Sequence, residues 1–174
     1  MADLIGLYSP APQSGKTTLA NALVTAWGYH RIAFADPLKA MAVQFLLSLG
    51  YRQDQAEQLV YVDKGAKLPQ LGVTVRHLLQ TLGTEWGRTC IEPDVWIKCW
   101  GASAALHPRV VADDVRFPNE AQLIKDLGGE VWLIVRPGLI DTSGHASEGS
   151  LADWPFDRVI ANDGTVEDML RDLL

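Results

Sequence analysis

The chain has 174 residues, 48% hydrophobic and 21% charged, which suits one well-buried domain of ordinary globular composition. Its 15 basic and 21 acidic side chains leave a net charge of -6. That balance speaks against broad, sequence-independent binding to nucleic acid, while a small anion held by local arginines stays open.

No apolar run reaches bilayer length; the longest, AMAVQFLLSL, is short and carries Gln44. Asp3 and the lack of a basic stretch before an apolar one argue against a signal peptide, so a cytoplasmic protein is expected, without a membrane partner. Cys90 and Cys99 then read as reduced thiols packed as small hydrophobes. The histidines (His30, His77, His107, His145) lack metal-ligand spacing, and no structural zinc is expected.

In chain order, Leu4 to Tyr8 reads as a buried strand and Thr17 to Trp27 as a helix, with Leu19, Ala20, Leu23 and Val24 on one face and Gly28 as its stop. Ile32 to Phe34 reads as a short strand, Leu38 to Leu49 as a helix closed by Gly50, and Gln53 to Leu59 as another helix. Lys64 to Val73, with two glycines and a proline, reads as a loop. Thr74 caps a helix through Leu82, and Pro93 starts one through Ala105. Arg109 to Ala112 is a strand entering the pair Asp113-Asp114. Pro118 to Leu127 is a helix ended by Gly128-Gly129, and Val131 to Val135 is a buried strand. A Gly-, Ser- and Thr-rich segment, 137–150, precedes a strand at Arg158 to Ala161 and a turn at Asn162-Asp163-Gly164. A C-terminal helix follows, with Thr165 and Asp168 as a weak capping box and Val166, Met169, Leu170 and Leu173 as its apolar face.

Strands alternating with helices predict an α/β fold, a parallel sheet with helices on both faces, whose ligands bind at the carboxyl ends of the strands. The segment SPAPQSGKTT, residues 9–18, lies at such an end. Its second half matches the P-loop G-x-x-x-x-G-K-[ST], but the opening glycine would fall at Pro10. A P-loop holds phosphates because successive backbone N–H groups point into one concave turn at a helix N-terminus. In that role Gly15 lets the backbone approach, Lys16 brings a mobile cation to the β- and γ-phosphates, and Thr17 offers a hydroxyl to Mg2+. Pro10 removes one N–H and fixes φ near about −65°, which still suits the start of a turn. The bland reading is a Gly-Lys-Thr that merely starts a helix; the apolar strand before it weighs against that.

Magnesium usually calls for an acidic residue at a neighbouring strand end. Asp113, Asp114 and Asp36 are candidates that spacing does not separate; Thr17 with Asp114 is the metal pair taken forward. Transfer between two nucleotides gathers negative charge, which arginine forks offset. Arg76, Arg88, Arg116 and Arg136 are candidates with Lys39, and Arg116 and Arg136 have the stronger case because both follow strand ends. Trp96 offers a face for a base, against the commoner role of a helical tryptophan in packing. Segment 137–150 is a candidate lid, or an ordinary exposed loop.

Several segments together resemble the deoxynucleoside monophosphate kinases of bacteriophages: SGKTT, FADPLK, RHLLQTLGTEWGR followed by VWIK, VVADDVRFPNEA, VRPG, HASE and NDGTVEDML. LQTLGTE and DVRFPNEA are more specific than the P-loop. The resemblance implies a P-loop NMP-kinase-like fold over 1–174, with acceptor-binding helices at about 37–106 and a lid-like segment at about 137–152. It implies transfer of the γ-phosphate of ATP to a deoxynucleoside monophosphate, with Mg2+. Ser14, Gly15, Lys16, Thr17 and Thr18 would hold ATP. The acceptor would lie among Arg76, Gly83, Thr84, Trp96, Asp114, Arg116 and Glu120, with Lys39, Arg88 and Asn119 nearby. Arg136, His145 and Glu148 fall in the lid-like part, with Lys16, Arg116 and Arg136 as the catalytic set. Thr17 stands where many relatives carry Asp, closer to the general P-loop pattern.

Two other readings stand beside this one: a P-loop kinase for another small acceptor such as dephospho-coenzyme A, and a non-catalytic ATP-binding regulatory module. Base choice, ribose tolerance and oligomeric state are left open, a homodimer being one option. A phage-encoded chain would work in the host cytoplasm.

Overall fold

The computed structural model describes residues 3–139 and 151–171. They fall into two compact units, Met1–Phe34 with Trp100–Leu174, and Ala35–Cys99.

The first unit is built on a five-stranded sheet: β1 (Leu4–Tyr8), β2 (His30–Arg31), β5 (Val110–Ala112), β6 (Glu130–Val135) and β7 (Arg158–Ala161). Their order is β2-β5-β1-β6-β7, and every pairing is parallel. Gly6 is opposite both Ala112 and Val131, so β1 is central and its carboxyl end is the point where strand order reverses.

Alternation along the strands separates two faces. Ile5, Leu7, Val111, Trp132, Ile134 and Ile160 pack with Leu19, Ala20 and Leu23 of α1 (Lys16–Trp27) and with Met169 of α7 (Val166–Arg171). On the other face, Gly6 admits α6 (Pro118–Asp126) so closely that an added Cβ would stand 2.5 Å from Ile124 Cδ1. The sheet therefore carries helices on both faces, the α/β arrangement expected.

The expected strand at Ile32 to Phe34 is displaced to His30–Arg31. The reason is competition for backbone groups. The Trp100 indole N–H takes the Ile32 carbonyl at 2.9 Å, and Asp114 Oδ1 takes the Phe34 N–H at 2.8 Å.

The second unit gathers Ala42, Val43 and Leu46 of α2 (Asp36–Ser48) around Ala56 of α3 (Gln53–Glu57), Val60, Leu68 and Val75. The expected loop at Lys64 to Val73 contains a small antiparallel hairpin, β3 (Lys67–Leu68) with β4 (Val73–Thr74), anchored by the fully buried Leu68. Gly72 turns it with φ 72°. Thr74 caps α4 (Val75–Gln80), its hydroxyl accepting the His77 N–H at 3.2 Å. The helical path does not stop at Leu82. It widens into a π-helix over Thr81–Ile91, and the next helix, α5 (Val95–Ala104), begins two residues after Pro93. A shorter π-helical turn, Gln58–Val62, follows α3.

Candidate active site

The loop after β1 meets α1 at the carboxyl edge of the sheet. Its opening is an ordinary turn: Ser9 Oγ accepts the Ala11 N–H at 3.4 Å across the exposed Pro10, whose missing N–H is not called on. Further on, Gln13 and Gly15 have positive φ, 58° and 100°. Gly15 needs that freedom, and an added Cβ there would also collide with the Asn162 amide. Lys16 lies back across the loop, its Nζ 3.4 Å from the Ala11 carbonyl and 3.3 Å from Ser14 Oγ.

A cavity of about 460 Å3 opens here, lined by residues 13–18 on one side and by Arg136, Asn162, Gly164, Val166 and Met169 on the other. The wall is thus polar at the helix N-terminus and partly apolar at the start of α7. Arg136, directly after β6, donates from Nη1 to the Gln13 carbonyl at 3.1 Å. Asn162, directly after β7, donates from Nδ2 to the Ser14 carbonyl at 2.8 Å.

The two neighbouring aspartates after β5 go to different partners. Asp113 is buried, and its Oδ2 accepts the Thr17 hydroxyl at 2.7 Å and pairs with Arg31 Nε at 2.9 Å. Its Oδ1 is buried with no hydrogen-bond partner. Asp114 Oδ1 instead accepts the Phe34 N–H. The structure therefore sets Thr17 beside Asp113, where the metal pair taken from the sequence was Thr17 with Asp114. The strand explains the choice: Val111 packs on the α1 face, and two residues later Asp113 falls on that same face, where Thr17 lies in the first turn of the helix.

The remaining expected residues are divided between the two units: Asp114, Arg116, Asn119 and Glu120 belong to the first, and Lys39, Arg76, Gly83, Thr84, Arg88 and Trp96 to the second. Glu120 is buried at the start of α6 and its Oε2 accepts the Arg116 and Phe117 N–H groups at 2.8 and 3.2 Å, so one carboxylate shapes the turn that presents Arg116. Arg116 and Asn119 are exposed. In the second unit Lys39 lies 3.6 Å from Asp36 and 5.3 Å from the Tyr61 ring centroid. Arg76 is exposed early in α4, and Arg88 and Thr84 sit on the π-helix. Trp96 is only 5% exposed and its indole N–H donates to the Gly83 carbonyl at 2.8 Å. The aromatic open to solvent on this segment is Trp86, 40% exposed. His145 and Glu148 lie outside the described residues.

Asn162 and Arg31 were not among the residues picked out for this site, and Asp113 was one of three metal candidates of which Asp114 was taken forward. A turn signal at Asn162-Asp163-Gly164 concealed the first. Period-two alternation from Val111 would have favoured Asp113.

A family model described as deoxynucleotide monophosphate kinase matches residues 56–173. A protein of Acanthamoeba polyphaga mimivirus, provisionally named a deoxynucleotide monophosphate kinase, is 33% identical over 98% of this chain and 94% of its own length. The deoxynucleoside-5'-monophosphate kinase of Escherichia phage T5 is 36% identical over 40% of this chain and 29% of its own. The deoxynucleotide monophosphate kinase of Enterobacteria phage T4 is 28% identical over 55% of this chain and 42% of its own. The match thus spans nearly all of the mimivirus protein and less than half of each phage enzyme. With a strand–loop–helix turn at the switch point of a parallel sheet and a match over most of its length, the chain belongs to the deoxynucleotide monophosphate kinase family.

Proposed function

We propose that the chain transfers the γ-phosphate of ATP to the phosphate of a deoxynucleoside monophosphate, with Mg2+, giving ADP and a deoxynucleoside diphosphate. Membership of the family makes it a kinase, a phosphotransferase acting on deoxynucleotide monophosphates. Among the described residues no helix is long and apolar enough to cross a membrane, so nothing there opposes work on a small dissolved nucleotide in the cytoplasm. The observation that carries the finer reading is the loop at the head of α1, with Lys16, Thr17 and Arg136 lining one cavity and Asp113 bonded to Thr17.

In this reading Ser14 to Thr18 receive the donor phosphates on backbone N–H groups and the positive end of α1. Lys16 leaves its loop contacts to meet the β- and γ-phosphates, and Arg136 adds a second cation as charge moves to the leaving oxygen. The residues present suit magnesium: a hydroxyl and a buried carboxylate stand 2.7 Å apart, and Asp113 Oδ1 has no other partner. Thr17 and Asp113 would hold the ion, which when bound neutralises phosphate charge. Arg31 keeps Asp113 oriented from the side.

Arg116 grips the acceptor phosphate bidentately, on a turn fixed by Glu120, with Asp114 and Asn119 close in sequence. Within the second unit, Lys39, Arg76, Thr84 and Arg88 are the residues that the family resemblance offers to an acceptor. Gly83 and Trp96 contribute by fixing the π-helix that carries Thr84 and Arg88.

The test is turnover of labelled ATP with dTMP, dGMP, dCMP, dAMP, their ribose counterparts and dephospho-coenzyme A. Labelled deoxynucleoside diphosphate is expected. Transfer to dephospho-coenzyme A alone, or to no acceptor at all, would overturn the assignment.

A further inference from the structure

Two successive peptide groups of the phosphate loop are held from outside it. Arg136 donates to the Gln13 carbonyl and Asn162 to the Ser14 carbonyl, and these donors sit at the ends of the neighbouring strands β6 and β7. In a trans peptide the carbonyl and the following N–H point in opposite directions. Fixing the Ser14 carbonyl therefore fixes the Gly15 N–H, and fixing the Gln13 carbonyl fixes the Ser14 N–H. These are donors of the kind from which an anion nest is made.

Asn162 is the firmer of the two braces. Its own N–H donates to the Val135 carbonyl at 2.7 Å, so its backbone continues the β6–β7 ladder. The amide then reaches the loop through two rotatable bonds, whereas Arg136 is exposed and reaches it through a long flexible chain. The fit is close on the loop side as well, since no side chain at Gly15 would clear the Asn162 amide. Gln13 holds a positive φ that non-glycine residues rarely adopt, so the loop conformation needs such outside support.

We infer that Asn162 is a positioning residue for the donor phosphates, holding the Ser14-Gly15 peptide so that its N–H keeps one direction before nucleotide arrives. The inference rests on the reading of residues 9–18 as a phosphate loop. It explains how a loop opened by Pro10 retains its inner half: the support comes from β7, not from a first glycine. It also links the C-terminal turn to the donor step.

The experiment compares wild type, Asn162→Ala and Asn162→Asp by calorimetric binding of inorganic tripolyphosphate, Mg-ATP and a deoxynucleoside monophosphate, with thermal unfolding as the check on folding. Tripolyphosphate carries no base, so it reads the loop alone. Asn162→Ala is expected to weaken tripolyphosphate and ATP by about tenfold, the scale of one neutral hydrogen bond, with monophosphate affinity unchanged. Asn162→Asp keeps the shape but turns an N–H donor into a charged acceptor facing the Ser14 carbonyl, so it should weaken tripolyphosphate further. Loss of ATP affinity with wild-type tripolyphosphate binding would assign Asn162 to the base and overturn the inference. Wild-type binding of both ligands in either variant would overturn it too. If wild type itself fails to bind tripolyphosphate, the phosphate-loop reading falls and takes this inference with it.

Discussion

The proposed phosphate loop at 9–18 and the π-helix at Thr81–Ile91 both hold backbone in uncommon geometry, and they are supported in opposite ways. The loop is braced by side chains more than a hundred residues away, Arg136 on Gln13 and Asn162 on Ser14. The π-helix is braced locally by one aromatic, Trp96, whose N–H holds Gly83 and whose ring lies against Gly87. The first arrangement leaves most loop side chains outside the core, so they are available for chemistry; Thr17, Thr18, Gln13 and Pro10 are exposed. The second draws its glycines into the core, and only the intervening residues face outward. Changes in the loop should therefore cost function with little stability, and changes under the π-helix should cost stability first.

Lys16→Ala is the strongest test of the first half. Removing one preorganised charge-stabilising donor is expected to lower kcat by about 10²–10³-fold. The contacts of Lys16 to the Ala11 carbonyl and Ser14 Oγ are long, 3.4 and 3.3 Å, so losing those two should move the melting temperature little. A melting temperature that falls along with turnover would make Lys16 a structural support and break the contrast.

Next in size is a matched pair. Asp113→Asn should raise the Mg2+ concentration needed for half-maximal turnover by at least about tenfold, since even groups that only orient a metal ligand contribute that much. Asp114→Asn should leave that requirement unchanged, because its carboxylate is turned to the Phe34 N–H. Magnesium titrations of both variants decide it; a larger effect at Asp114 would return the metal role to that residue.

For the π-helix, Gly87→Ala is the direct probe. The new Cβ would stand 2.5 Å from Trp96 Cζ2 and 2.8 Å from its Nε1, a contact the indole cannot relieve without releasing Gly83. Overpacking of this kind costs about 1–3 kcal/mol, a fall of roughly 2–12 °C in melting temperature for a chain of this size. Any loss in turnover should appear in KM for the monophosphate. Unchanged stability would mean that the π-helix yields freely and that Trp96 does not support it.

The same contrast governs how much was legible in the sequence. The alternation of apolar strands with helical periods gives the parallel α/β sheet, since each element's signal lies within its own ten or so residues. The turn from β1 into α1 around Ser14 to Thr18 could be read for the same reason: spacing and context are local. The π-helix could not, because TLGTEWGR looks like a helix broken by glycine until Trp96, nine residues beyond Gly87, is seen filling the space beside that glycine and holding the Gly83 carbonyl. β2 was displaced because Asp114 and Trp100, far along the chain, take backbone groups the strand would have used. Asn162 was hidden by its own good turn chemistry. A residue that favours turns gives no sign of what its amide touches in the folded chain.

The smallest expected effect is at Pro10, and it probes where the loop is held. Pro10 is exposed, and the turn across it is closed by Ser9 Oγ and the Ala11 N–H, neither of which belongs to the proline. Downstream, the Gln13 and Ser14 carbonyls are held by Arg136 and Asn162, not by residue 10. Pro10→Gly should therefore leave KM for ATP within about threefold, a change below the worth of one hydrogen bond. Its main consequence should lie in the unfolded chain: glycine frees a φ that proline restricts, and stability should fall by about 1 kcal/mol. Thermal unfolding and donor kinetics on one preparation read both quantities. In an Asn162→Ala background the outcome should differ. With the β7 brace gone, the loop's opening turn matters more, and Pro10→Gly should then raise KM for ATP by about tenfold. Equal effects in the two backgrounds would show that the opening turn and the strand-end brace act independently. A large rise in KM from Pro10→Gly alone would place the proline within the cradle itself.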